Sequence, residues 1–398
     1  MSEPTTVEVP LTQRAVLVMA GACGFGAANI YYNQPMLADI VRDLGSPAAA
    51  GVVPTVTQVG YALGLLLLSP LGDRFDRKTL ILGKLVGLIL ALGLAAISTN
   101  LVTLAVASLA IGVLTTFIQQ IVPMAAHLAA PAKRGQVVGT VMSGLLIGIL
   151  GGRVLSGIVA EHLGWREMFA IAAGMMIVLW GVLFVLLPRT APTSGLGYPA
   201  LMRSLWHLFR AERVLREASA VGGLMFAAFS AFWATLTLYL ASPVYHLGPE
   251  AAGLFGLVGI AGALAAPLAG RLADRGGPRR TVGIAIVVAF AAYAVFAVAG
   301  QSLWGLVAGV LLLDLGVQGA MVSNQSRIYA LRPESRSRVN TVYMVIYFAG
   351  GSTGSALGAL AWNYGGWLAV SGVGLGLALL AFAIHALSPR DAVANAAA

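Results

Sequence analysis

Ser69-Pro-Leu-Gly-Asp-Arg-Phe-Asp-Arg-Lys78 is a short hydrophilic interruption with a long apolar run on either side. It returns in the second half of the chain as Gly270-Arg-Leu-Ala-Asp-Arg-Gly-Gly-Pro-Arg279. Asp73 and Arg74 fall on Asp274 and Arg275, and a distal basic residue follows in both copies. A charged hairpin that occurs once in each half implies a duplicated architecture.

The flanking runs set the fold class. Of 398 residues, 59% are hydrophobic and 10% charged, against about 25% charged in an ordinary soluble domain. A hydrocarbon core about 30 Å thick takes roughly 20 apolar residues per helix. Twelve runs of that order are counted, at 14–34, 49–69, 80–98, 101–127, 136–160, 166–188, 218–241, 251–271, 280–299, 303–329, 338–360 and 366–387. Backbone groups in lipid must be satisfied internally, so each run reads as a helix. The expectation is an all-α polytopic membrane protein with twelve transmembrane helices in two pseudo-symmetric six-helix halves.

The net charge of +9 is a topology signal. Lys and Arg fill alternate loops, with Arg74, Arg77, Lys78, Lys133, Arg134, Arg275, Arg279 and Arg327 in one set and only Arg42 and Arg166 in the other. The basic set reads as cytoplasmic. Both hairpins and both chain ends are thus expected on the cytoplasmic side of a bacterial inner membrane. A nucleic-acid partner, which would gather the basic residues on one face, is not expected. The single cysteine, Cys23, excludes an internal disulfide and reads as a small buried residue. The polar, partly acidic Met1–Arg14 does not read as a cleavable signal peptide.

Residues 189–217 break the pattern with Pro192, Gly195 and Pro199, followed by the charged stretch Trp206–Arg216. They read as a cytoplasmic linker containing an interfacial amphipathic helix, between a half at 1–188 and a half at 218–398. A shift of 202 residues lays Gly148 and Gly152 on Gly350 and Gly354, and Gly164-Trp165 on Gly366-Trp367. Glycines four apart at 144, 148 and 152, and again at 350, 354 and 358, give equivalent helices a stripe for close packing. Two halves related by a parallel repeat suit a body that rocks one half against the other.

The 270–279 hairpin resembles the Gly-x-Leu-Ala-Asp-Arg-x-Gly-x-Arg signature of the major facilitator superfamily, and with the duplicated halves the resemblance covers the whole chain. It looks most like the twelve-helix bacterial drug:proton antiporter branch. The resemblance implies a cytoplasmic gating motif made of Asp73, Arg74 and Arg77 in one copy and Gly270, Asp274 and Arg275 in the other. In the first copy Ser69 and Asp76 replace the two glycines of the pattern. Antiporters of this branch usually carry an Arg in the fourth helix and a Gly-Pro pair in the fifth. Here no Arg lies around Ile111, and Gly152-Arg153 stands in place of Gly-Pro.

Within the apolar runs only Lys84, Arg153 and Asp314 are charged. Lys84 lies near a helix end and is expected to snorkel. An Arg or Asp at a helix centre costs about 2.5–3.5 kcal/mol on insertion scales, which calls for a bundle-facing position and a partner. Asp314 falls near the midplane of the tenth run, with Gln318 and Gln325 on its face. It is either a structural acid held by neighbouring helices, or a carboxyl that couples a proton or contacts a cationic substrate. Arg153, nearer the periplasmic side, reads as an intramembrane charge that pairs with Asp314, holds an anionic substrate or bridges backbone carbonyls. Their depths differ, so direct pairing is not assumed.

Uncharged polar residues add a cavity. Asn29, Asn33, Thr116, Gln119, Gln120, Trp233, Thr237, Tyr343 and Tyr347 are candidate lining residues together with Gln318 and Gln325. For each, an interhelical hydrogen bond is the competing role. No P-loop, metal-ligand spacing or intramembrane catalytic constellation is found, so an enzyme is not expected and no cofactor is assigned. The expected activity is secondary active transport, namely proton-coupled export of small amphiphilic organic compounds by a monomer in the lipid bilayer. The partners are then a small-molecule substrate and protons. A facilitator or importer of a metabolite such as a sugar or nucleoside is the alternative, and a non-transporting membrane sensor a third.

Overall fold

The computed structural model describes residues 12–130, 133–189, 197–264, 277–331 and 336–389, without the side chains of 73, 134 and 260–264. Helix α1 (Gln13–Tyr31) opens on Thr12, whose hydroxyl accepts from the Ala15 amide at 3.2 Å. Helix α2 (Asn33–Leu44) continues it after a break at Tyr32. Pro35 lies just beyond the break and has no N–H to return to the Tyr31 carbonyl. Helix α3 (Ala49–Leu68) leads into a 3-10 turn, Pro70–Asp73, and then α4 (Arg77–Ala96).

The fourth run divides into α5 (Leu101–Thr115) and α6 (Ile118–Leu128). At the division, Phe117, Gln119 and Gln120 donate three residues back instead of four, a local tightening. Pro123 withholds an N–H from the Gln119 carbonyl one turn later. Helices α7 (Arg134–His162) and α8 (Trp165–Leu186) complete the first half.

The amphipathic stretch expected over Trp206–Arg216 is split differently. Helix α9 (Tyr198–Ala211) buries Leu201, Leu205 and Leu208 on one face, and α10 (Arg213–Leu240) takes up the chain from Arg213. There follow α11 (Pro249–Leu264), α12 (Pro278–Ala299), α13 (Leu303–Tyr329) and α14 (Arg336–Leu387). Helix α14 is two limbs joined at a kink where Gly366 has φ +57°, a conformation glycine adopts without strain.

Among the described residues, ten helices are long and apolar enough to cross a membrane. Helix α14 counts once but holds two of the expected runs, and α11 is described only as far as Leu264. Each of the twelve runs is therefore helical where described. Leu90, Val185, Val298 and Leu379 stand exposed along the bundle. Such an apolar exterior suits lipid rather than water.

The glycine stripes bring backbones together. A Cβ at Gly148 would lie 2.0 Å from the Gly24 carbonyl oxygen on α1, and one at Gly354 would lie 1.9 Å from the Ala227 oxygen on α10. Helix α7 packs on α1 as the first limb of α14 packs on α10, which repeats one contact in each half.

The halves meet through α3 against α14 and α7 against α11. Gly51 touches Ala359, Gly157 touches Gly253, and the Thr237 hydroxyl donates to the Pro35 carbonyl at 2.8 Å. Most of these contacts lie toward the end of the bundle opposite the 69–78 hairpin.

Candidate functional site

Arg153 occupies the position on α7 just past Gly152, where the close-packed stripe meets Ala28 and Tyr32 of α1 and its break. Its side chain is 1% exposed. Nε donates to the Gln34 carboxamide of α2 at 2.9 Å. The guanidinium lies over Trp233 at 4.1 Å, Tyr31 at 4.7 Å and Phe229 at 5.7 Å. Desolvated contacts of this kind contribute about 2 kcal/mol each. Arg153 thus joins α1, α2, α7 and α10, across the boundary between the halves. Among the described residues its Nη2 has no hydrogen-bond partner.

Asp314 is buried on α13, and among the described residues its Oδ2 likewise has no hydrogen-bond partner. The two side chains are within electrostatic range of one another without a contact-distance ion pair. Both residues lie against one turn of α11. The Gly256 face meets the Arg153 Cβ, and the Gly259 face meets both Asp314 carboxylate oxygens. Larger side chains at 256 and 259 would press on the Arg153 stem and on the Asp314 carboxylate. Gln318, Met321 and Gln325, further along α13, are only half-buried.

The remaining expected cavity residues divide between helix packing and this centre. Trp233 stacks on Arg153. Tyr347 stacks on Phe226 with ring centroids 4.1 Å apart, and Tyr343 is buried against Gly222. Thr237 holds the halves together through Pro35, and Gln119 donates to the Tyr61 hydroxyl at 2.8 Å. Asn33 donates to Thr57 at 3.1 Å. Asn29 turns to the backbone of α1 and to the Met176 sulfur on α8.

Thr116 and Gln120 face inward to Lys84, which overturns the expectation for that lysine. Lys84 is 6% exposed rather than snorkelling, and its Nζ donates to Gln120 at 3.1 Å and Thr116 at 3.4 Å. The division between α5 and α6 points Gln120 back at α4, leaving a polar pocket for the ammonium.

At the first hairpin, the Asp76 side chain caps α4 by accepting from the Thr79 amide at 3.2 Å and hydroxyl at 2.8 Å. Arg77 is buried and donates to the Gly72 carbonyl at 3.2 Å, while Arg74 is exposed. The Asp73 side chain, Gly270, Asp274 and Arg275 lie outside the described residues.

Three polar features were not anticipated. Gln34 holds Arg153, and its place beside Pro35 at a helix break was the available signal. Gln58 bridges α3 to Ser355 of α14 at 3.0 Å and accepts from Ser230 of α10 at 3.3 Å. Glu217 accepts from Arg327 at 2.8 Å and Arg279 at 3.2 Å, with His385 at 3.3 Å. Arg279 also donates to the His385 and Ser388 carbonyls at the end of α14. This cluster ties four helices at the hairpin end of the second half. Among the described residues, no group of three or more His, Cys, Asp or Glu side chains is placed to hold a metal ion.

The model of the Major Facilitator Superfamily matches residues 17–324 and 245–397. The chain is 38% identical over 374 residues to the uncharacterized transporter YgaY of Escherichia coli O157:H7, covering 93% of this chain and 94% of that one. It is 26% identical over 364 residues to the multidrug resistance protein MdtG of Proteus mirabilis, covering 86% and 88%. Among solved structures, a bacterial homolog of the human lysosomal transporter Spinster, inward-facing and occupied, superposes with a TM-score of 0.78 at 14% identity over 95% of this chain and 97% of that one.

Proposed function

The chain belongs to the Major Facilitator Superfamily, and from that premise we propose that it is a proton-coupled secondary active transporter of small amphiphilic organic compounds. The observation that carries the coupling is Asp314, a buried carboxyl with an unpartnered oxygen beside Arg153. Such a group can take up a proton where water reaches it from one face and release it to the other. Moving the neutral acid through a low-dielectric interior costs far less than moving the ion.

Residues 1–188 and 218–398 are the bodies that rock, with 189–217 as their connector and the hairpins as gates. Alternating access then exposes the Asp314 region to each face in turn.

Likeness to MdtG favours export. A second reading, uptake of a metabolite, is favoured by Arg153, whose free Nη2 offers a donor to an anionic solute. Proton flux in proteoliposomes, driven by a chemically diverse solute panel, tests the coupling. Solute movement without any linked proton movement in the wild type contradicts it.

A further inference from the structure

We propose that the Arg153–Asp314 site carries an organic anion together with a proton, the anionic group binding Nη2 of Arg153 while Asp314 Oδ2 holds the proton. This rests on the coupling reading above and adds to it the substrate class and the sense of coupling.

The guanidinium is fixed on three sides. Gln34 takes Nε, and the rings of Trp233, Tyr31 and Phe229 cover it. What is left is a donor edge with Nη2 buried and unpartnered. A planar guanidinium is matched to carboxylate geometry, and the surrounding rings suit an apolar body attached to that carboxylate. Asp314 presents its own unpartnered Oδ2 into the same region but does not reach the guanidinium. Gly256 and Gly259 keep this face of α11 free of side chains.

Charge balance then selects the substrate. With Asp314 ionised and no solute, Arg153 and Asp314 sum to zero. With Asp314 protonated and a monoanion on Arg153, the sum is again zero. A cationic solute exchanging with the proton leaves one net positive charge in both states, because Arg153 stays protonated throughout. Burying a net charge is the costly case, so the anion cycle is the one that the site can repeat through the membrane interior.

Other titratable groups do not disturb this balance. Among the described residues, those facing the pair are the phenols Tyr31 on α1 and Tyr347 on α14, and free phenols ionise only near pH 10. The facing residues of α10 are Trp233 and Phe229, and α7 contributes Leu150. A proton and an anion bound together move in the same direction. An inward proton gradient therefore draws the anion in, which favours uptake over export.

The test uses the full chain in lipid nanodiscs, with phenylacetate, phenylacetamide and phenethylamine as probes of one shape and three charges. Asp314→Asn leaves Arg153 as a lone buried cation, so its Tm should fall. Arg153→Gln by itself loses the Gln34 bond and the ring contacts, so the charge effect is read as coupling: the double variant should lose less than the sum of the two single losses. Phenylacetate should raise the Tm of Asp314→Asn more than that of the wild type at pH 7.5 and leave the double variant unmoved. Titrating phenylacetate into weakly buffered wild type should take up about one proton per anion bound.

Single losses that add without coupling in the double variant overturn the charge balance. Stabilisation by phenethylamine instead of phenylacetate, or no carboxylate effect on Asp314→Asn, overturns the anion assignment. These readouts need no transport, so they fail separately from the proton-flux experiment.

Discussion

The Lys84 ammonium donates to the Gln120 carboxamide at 3.1 Å, and the amide nitrogen of Gln120 donates in turn to the Leu68 and Ser69 carbonyls at 3.3 Å. A buried cation on α4 is thereby linked through α6 to the end of α3 and the start of the first hairpin. Gly72 packs against the same glutamine.

This linkage predicts an order of stability. Gln120→Leu removes the strongest acceptor from a buried ammonium and orphans two carbonyls, at a cost of about 1–3 kcal/mol. Lys84→Met keeps the apolar stem and removes the charge, so it should be within about 1 kcal/mol of wild type or more stable. Thermal melts of both in detergent decide it. If Lys84→Met is the more damaging change, the ammonium supplies something beyond its hydrogen bonds.

The glycine stripe gives a prediction with an internal control. Gly148→Ala places a methyl against the Gly24 backbone, where no flexible side chain can yield, whereas Gly151 has nothing within 4 Å. Overpacking of this kind costs about 1–3 kcal/mol. Gly151→Ala should leave the melting temperature within error of wild type. Equal effects at the two positions, by melting or by folded yield, contradict the packing assignment.

Glu217 and Asp43 contrast a buried ion cluster with an exposed pair. Glu217 faces Arg327, which is 2% exposed, while the Arg166–Asp43 pair is 32% and 44% exposed. Glu217→Gln removes the carboxylate that Arg327 and Arg279 share in a buried pair and should cost about 3–5 kcal/mol. Asp43→Asn should cost about 0–1 kcal/mol. Melting curves at low and high salt separate them, because only the exposed pair is effectively screened. A small loss for Glu217→Gln shows that other groups share that charge.

The apolar runs, the repeat and the glycine stripes were legible in the sequence because each is a local pattern with its own period. The division of the fourth run was not, since neither Thr116 nor Phe117 is a helix breaker and Pro123 lies a turn and a half beyond. Lys84 misled for the same reason. Its distance from a helix end allows snorkelling, and only the turn of Gln120 toward it decides otherwise. Glu217 lies 110 residues from Arg327, and the loop arginines that serve the cluster look the same as those that only set topology. Arg153 and Asp314 stood out as charges in lipid, but the aromatic enclosure around Arg153 comes from two other helices.

Arg153→Lys keeps the charge and loses the plane. The amine cannot at once donate to Gln34, lie flat on Trp233 and present an edge to a solute. Losing one stacked contact of about 2 kcal/mol weakens apparent solute affinity by somewhat more than tenfold. Transport assays across a solute panel should show a raised KM and altered preference. Normal transport with unchanged preference means that charge alone matters at this position.

Asp314→Asn fixes the site in an imitation of its protonated form. It cannot release a proton, so a proton gradient has no purchase on the rocking motion and uphill accumulation should be lost. The solute site itself is kept, and the uncompensated Arg153 should hold an anion more firmly than before. Counterflow of labelled solute in proteoliposomes should therefore remain measurable while gradient-driven accumulation falls to background. Asp314→Glu restores a titratable group one methylene longer, beside the Gly259 face that now clears the carboxylate. It should recover part of the accumulation with a displaced pH dependence. Accumulation against a gradient by Asp314→Asn would leave this carboxyl a structural or solute-binding role only, and the coupling proton would have to be carried elsewhere.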